Sequence, residues 1–158
     1  MVMVFTSSNI GKYSGKTLPQ IVFSDLDYFI WSFEKNIFKT PPLKQEAQYI
    51  YERIKNIKIP KESHEEYEVE YLIHPPTGKF GHFELVHKST PLHKGGSPAS
   101  RSQNIDLTRS RSIKEYDKLG SSTMIDCLKY YYFGDRSYRM TKKRCEDFFG
   151  ENSNFILA

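Results

Sequence analysis

The chain has little of what usually marks an enzyme, a secreted protein or a membrane protein. Its two cysteines, Cys127 and Cys145, make no CxxC pair and no disulfide framework, so a reducing cytoplasm is the expected setting. No apolar run approaches the roughly 20 residues of a membrane helix, and no membrane partner is expected. The apolar start Met1-Val2-Met3-Val4-Phe5 lacks a basic segment and stops at Thr6-Ser7-Ser8-Asn9. It reads as a first strand, not a signal peptide. The histidines at 64, 74, 82, 87 and 93 lack paired zinc-ligand spacing, so neither metal nor cofactor is expected. Gly15-Lys16-Thr17 is not a nucleotide-binding P-loop, because position 10 is Ile where that frame needs Gly.

What is present is a mild basic excess and many rings. Lysine and arginine outnumber acids 23 to 19, giving a formal charge of +4. That permits a polyanionic partner without requiring one. Eleven Phe, eleven Tyr and one Trp can close a core with few residues, since each ring buries a large area.

The pattern predicts an α+β fold: an N-terminal β-hairpin plus a helix pair, a small antiparallel sheet, and C-terminal helices. Val4 to Ile10 and Thr17 to Phe23 are expected to pair around a Gly11 to Lys16 turn. Ser24 is the expected cap of a helix that buries Leu26, Phe29, Ile30, Phe33 and Ile37. Leu43, Ala47, Ile50, Ile54 and Ile57 mark a second helix, stopped by Pro60. The period then changes to two over Tyr67, Val69, Tyr71 and Ile73, with a Pro75-Pro76-Thr77-Gly78 turn and a second strand through Phe83, Leu85 and His87. A long loop is expected over residues 88 to 103, then a third strand at Ile105 and Leu107. Ser121 starts another helix that Gly134 ends, and Thr141 caps a last one over residues 142 to 149. Residues 1 to 60 and 61 to 158 form two regions, either separate or sharing one core.

Two basic stretches are candidate contacts. Lys12, Tyr13 and Lys16 in the glycine-bracketed turn could hold a phosphate or stack a base. They equally suit a tight turn with solvated lysines and a packed ring. Arg136, Arg139, Lys142, Lys143 and Arg144 form the densest charge cluster, beside Tyr130 to Phe133 and Tyr138. Arginine forks onto phosphate and rings stack, but a solvated charged face is the plainer alternative. The loop arginines Arg101, Arg109 and Arg111 and the acids Glu62 to Glu70 offer further charged surface.

The opening stretch Ile10, Gly11-Lys12-Tyr13-Ser14-Gly15-Lys16, Leu18, Asp25 to Asp27 and the aromatic Tyr28 to Phe33 resembles the small accessory domain at the C-terminus of exodeoxyribonuclease X-like proteins, also found alone in short bacterial and phage proteins. The resemblance covers residues 8 to 58. It implies a role near nucleic acid, with Lys12, Tyr13 and Lys16 as the positions of interest. It brings no nuclease chemistry, because the clustered acidic metal ligands of the catalytic domain do not stand before residue 10. Two readings follow: a non-catalytic nucleic-acid-associated accessory protein contacting DNA or RNA, or a protein-binding inhibitor or adaptor encoded by a phage or plasmid. An enzyme with a cryptic site ranks behind both.

Overall fold

A computed structural model describes residues 4–9, 11–60, 65–92 and 99–157. Ile10, Glu62, His64, His93 and the glycine-rich stretch 94 to 98 lie outside them. Among the described residues, six α-helices and a three-stranded antiparallel sheet make an α+β fold.

The N-terminal part corrects the expected hairpin. The chain does double back, with Ser8 N–H donating to the Lys16 carbonyl and Gly15 N–H to the Ser8 carbonyl. Gly11 and Gly15 supply positive φ of 64° and 89° for the turn. No strand ladder follows among the described residues. Residues 11–13 form one 3-10 turn, and Thr17 opens helix α1 (Leu18–Ser24). Its backbone N–H donates to Gln20 Oε1 at 3.0 Å, half of a capping box. Pro19 falls in the first helical turn, where its missing N–H leaves no gap. Tertiary burial of Leu18, Ile21, Val22 and Phe23 overrides the strand preference of this β-branched and aromatic run.

Asp25, not Ser24, caps the next helix. Ser24 ends α1, and the Asp25 carboxylate accepts from Tyr28 N–H at 3.2 Å at the start of α2 (Leu26–Glu34). Helix α3 (Pro41–Ile54) buries Leu43, Ala47, Ile50 and Ile54, as their spacing predicts. Phe33 stacks on Tyr51 between α2 and α3, centroids 4.0 Å apart and planes 8° apart.

Strands β1 (Tyr67–His74) and β2 (Lys79–His87) are the predicted hairpin, with Gly78 at positive φ in its turn. The third strand is not at Ile105. It is β3 (Ala99–Ser102), inside the stretch expected to be loop, and it lies on the far side of β1 in the order β2-β1-β3. Arg101 explains part of its register: it stands opposite Glu70 and donates to Glu70 at 2.9 Å and Glu68 at 3.0 Å. Ile105 instead pairs with Ile57 through two backbone hydrogen bonds.

A short helix, α4 (Arg109–Ile113), precedes α5 (Lys118–Phe133), which ends as predicted on Gly134 in the left-handed conformation. Thr141 caps α6 (Lys142–Gly150) by accepting from Arg144 N–H. One cluster of buried side chains runs from Phe5 through the helices and the sheet face of Val69, Tyr71 and Phe83 to Phe155. It draws on both sides of residue 60. Phe23 from α1 meets Phe148 and Phe149 of α6 edge-on, at 5.5 and 6.0 Å. That aromatic seam sets α6 and its basic first turn against α1. Among the described residues, no helix is long and apolar enough to cross a membrane.

Candidate functional site

The seam between α1 and α6 opens at the surface into a cleft of about 480 Å³. Lys16, Lys129 and Arg139 line it, from the turn before α1, from α5 and from the loop before α6. Phe23, Met140 and Cys145 contribute apolar wall, and Gln20, Ser24 and Ser137 contribute polar groups. The cleft thus joins one member of each basic stretch singled out in the sequence. Among the described residues, no carboxylate lies within ion-pair distance of Lys16, Lys129, Arg139, Arg136 or Lys142. The nearby acid Glu146 accepts a hydrogen bond from the Thr17 hydroxyl at 3.1 Å, tying α6 to the start of α1.

The remaining cations of the C-terminal cluster have different surroundings. Arg136, Lys142, Lys143 and Arg144 are exposed. Lys143 pairs with Asp147 one turn on. Arg144 donates to the Arg139 carbonyl at 2.8 Å and lies over the Tyr138 ring, 4.6 Å from its centroid. Phe133 stacks on the same ring at 4.7 Å. Tyr138 therefore braces the arginine loop, and it also lines the cleft. The other rings of this stretch are largely structural too. Tyr131 stacks on Phe83, and the Tyr132 hydroxyl donates to the Lys58 carbonyl.

Cys145 is no nucleophile in this setting. Burial pushes its thiol up to about 12, so it stays protonated at neutral pH. Among the described residues, His74 stands opposite Lys79 and His82 opposite Leu72. His74, His82 and His87 hydrogen-bond Thr77, Glu84 and Ser89. Among the described residues, no group of three or more His, Cys, Asp or Glu is placed to hold a metal.

No family model, curated protein or solved structure matches the chain. The site is therefore read from its own residues.

Lys12 and Tyr13 do not join Lys16. They turn inward onto Asp25, whose side chain is only 3% exposed. The Tyr13 hydroxyl donates to Asp25 Oδ2 at 2.6 Å, and Lys12 Nζ sits 3.3 Å from the same oxygen. Tyr13 also meets Tyr28 edge-on at 5.1 Å. Burial alone would raise the Asp25 pKa, but the Tyr13 hydroxyl, the Tyr28 N–H and Lys12 outweigh it and hold the carboxyl below its usual value. Tyr13 is pushed up to about 12 by its own burial and by that carboxylate.

A folded-state pKa that is depressed contributes stability above the unfolded value, near pH 3.9, and loses it as pH falls through the folded value. Urea unfolding across pH 7 to 3 should show this loss in the natural protein. Asp25→Asn should be less stable by about 1.5–3 kcal/mol at neutral pH, the worth of a hydrogen bond to a charged group. Its stability should also fall less steeply below pH 4. Equal acid slopes in the two proteins would count against the assignment.

Several basic residues of the expected surface are engaged internally. Arg101 closes on Glu68, Glu70 and the Pro91 carbonyl. Arg111 pairs with Asp27 at 2.8 Å and Glu34 at 2.9 Å. Arg109 lies over Tyr71 beside Asp106. Lys129 is the site residue that sequence reasoning missed. It is a single lysine on an amphipathic helix, and only the packing of α5 beside α1 and α6 gives it meaning.

Proposed function

We propose that this is a non-catalytic accessory protein that associates with DNA or RNA in the cytoplasm through the cleft between α1 and α6. The observation that carries this reading is the convergence of Lys16, Lys129 and Arg139, from three separate elements, with no carboxylate in ion-pair contact with them among the described residues; the nearby Glu146 is turned to the Thr17 hydroxyl. Like charges gathered without counterions repel one another, and a polyanion removes that cost. Arg144, exposed and bonded to the Arg139 carbonyl, adds a further cation next to the cleft. The first turn of α6 carries three cations against its own dipole, which a phosphate there would offset.

Gel shifts with single- and double-stranded DNA and RNA at two salt concentrations test it. Binding should weaken steeply with salt. The triple variant Lys16→Ala, Lys129→Ala, Arg139→Ala should flatten the slope of log K against log salt by about two, at roughly 0.7–0.9 for each phosphate no longer neutralised. No shift at low salt with any of the four nucleic acids would sink the proposal. Recovery of a single protein partner after nuclease treatment would then favour the adaptor or inhibitor role.

A further inference from the structure

A second cleft, of about 210 Å³, opens at the corner between α1 and α2. Ser24 lines the first cleft and its chain neighbour Asp25 the second, while Lys16 and Lys12 stand on either side of the turn at Tyr13. The second cleft is walled by Tyr28, Trp31 and Tyr116 and rimmed by Lys12 and Lys118.

Tyr28 and Trp31 are half-buried in its wall, and Tyr116 is the exposed ring. Tyr116 is 57% exposed although it is bulky and aromatic. It also sits at φ 57°, a backbone region that side chains of its size rarely adopt. Such conformations persist where the surroundings over-determine them, and they cluster at binding sites. Arg111 over-determines this one. Its guanidinium lies 5.2 Å from the Tyr116 ring centroid while its nitrogens hold Asp27 and Glu34 of α2. Trp31 is half-buried and leans on Tyr28 at 6.1 Å.

The charges divide by depth. Asp25 is buried, and its Oδ2 serves both Lys12, at 3.3 Å, and Lys118, at 3.9 Å. The two lysine side chains remain 55% and 73% exposed. A carboxylate floor repels phosphate, and an exposed ammonium rim attracts it. A flat, neutral ring entering between Trp31 and Tyr116 with its phosphate left at the rim satisfies both.

We propose that this cleft takes an unpaired nucleobase of a single strand whose backbone lies in the first cleft, stacking it on Trp31 and Tyr116 with a flanking phosphate on Lys12 and Lys118. The proposal rests on the nucleic-acid reading of the first cleft and adds a strand preference to it. A duplex keeps its bases stacked inside and cannot offer one.

Trp31 is the sole tryptophan, so its emission reports this cleft directly. Labelled oligothymidine and a duplex of equal length are titrated at low salt, reading the label's anisotropy for binding and Trp31 emission for stacking. The single strand should quench Trp31 in step with anisotropy, and the duplex should bind without quenching. Tyr116→Ala should weaken single-strand binding roughly tenfold, the scale of one base stack removed, and leave duplex binding unchanged. Tyr116→Phe should restore it, and thermal melts of both variants check that the fold is intact. Binding of the single strand with Trp31 emission unchanged overturns this proposal and leaves the basic cleft standing. Equal quenching by the duplex overturns it as well. No binding of either nucleic acid removes the function reading and this proposal together.

Discussion

Replacing Phe149 with alanine should cost about 3–5 kcal/mol, the range for deleting a fully buried phenylalanine. The residue is 0% exposed. Its ring stacks on Phe155 at 5.9 Å and meets Phe148 and Phe23 edge-on at 5.3 and 6.0 Å. No neighbour in such an aromatic cluster collapses easily into the space left, because rings move as rigid plates. The backbone of the same residue is also engaged, since its carbonyl accepts from the Tyr49 hydroxyl at 3.0 Å. Urea unfolding at neutral pH measures the change. Phe149→Leu, which keeps most of the volume, should lose about 1.5 kcal/mol. A loss below ~1.5 kcal/mol for the alanine variant would mean that the seam between α1 and α6 is not the packed core described.

Asp117→Ala comes next, at about 2–4 kcal/mol. The side chain is buried, and its two oxygens have different partners. Oδ1 accepts from Gly120 N–H at 2.7 Å, capping α5, and Oδ2 accepts from Phe80 N–H of β2 at 3.1 Å. Alanine removes the cap, worth about 1 kcal/mol, and strands a buried N–H of the strand, worth about 1–3 kcal/mol. The melting temperature should fall by roughly 4–16 °C, since a chain of this size loses about 2–4 °C per kcal/mol. Asp117→Asn should lie between the two proteins. Its single oxygen can serve one N–H, and its amide nitrogen faces the other. Equal melting temperatures for the asparagine and alanine variants would argue that only one of the two hydrogen bonds contributes.

Much of the scaffold was legible because local chemistry and tertiary packing agree there. The alternation from Tyr67 to Ile73, the Pro-Pro-Thr-Gly turn, Gly134 after α5 and Thr141 before α6 each carry their own signal. Thr17 to Phe23 was not legible as a helix. Ile21, Val22 and Phe23 favour a strand intrinsically, and Pro19 suits an edge strand as well as a first helical turn. The Thr17–Gln20 cap was the one contrary sign. Strand β3 has no apolar alternation at all, since Ala99 to Ser102 are held by the β1 backbone and by the Arg101 clasp.

The candidate site divides in the same way. Residue type pointed to Lys16 and Arg139, but their meeting depends on Phe23 packing against Phe148 and Phe149. Lys12 and Tyr13 share a motif with Lys16, yet both turn to the buried Asp25 carboxylate, and Lys12 lines another cleft. Nothing short of the folded chain separates them.

Ile57 pairs on one side with Ile105 and on the other with Phe155. Tyr49 and Arg53 of α3 likewise reach Phe149 and Asn152, across 100 and 99 residues. Contacts of such long sequence separation form slowly and only after loop-closure entropy has been overcome. During synthesis the α3 face must wait for the last residues of this fold to leave the ribosome. Until then Tyr49, Arg53 and Ile57 lack their C-terminal partners, and the nascent chain presents an unfinished face to whatever chaperone or neighbour it meets first.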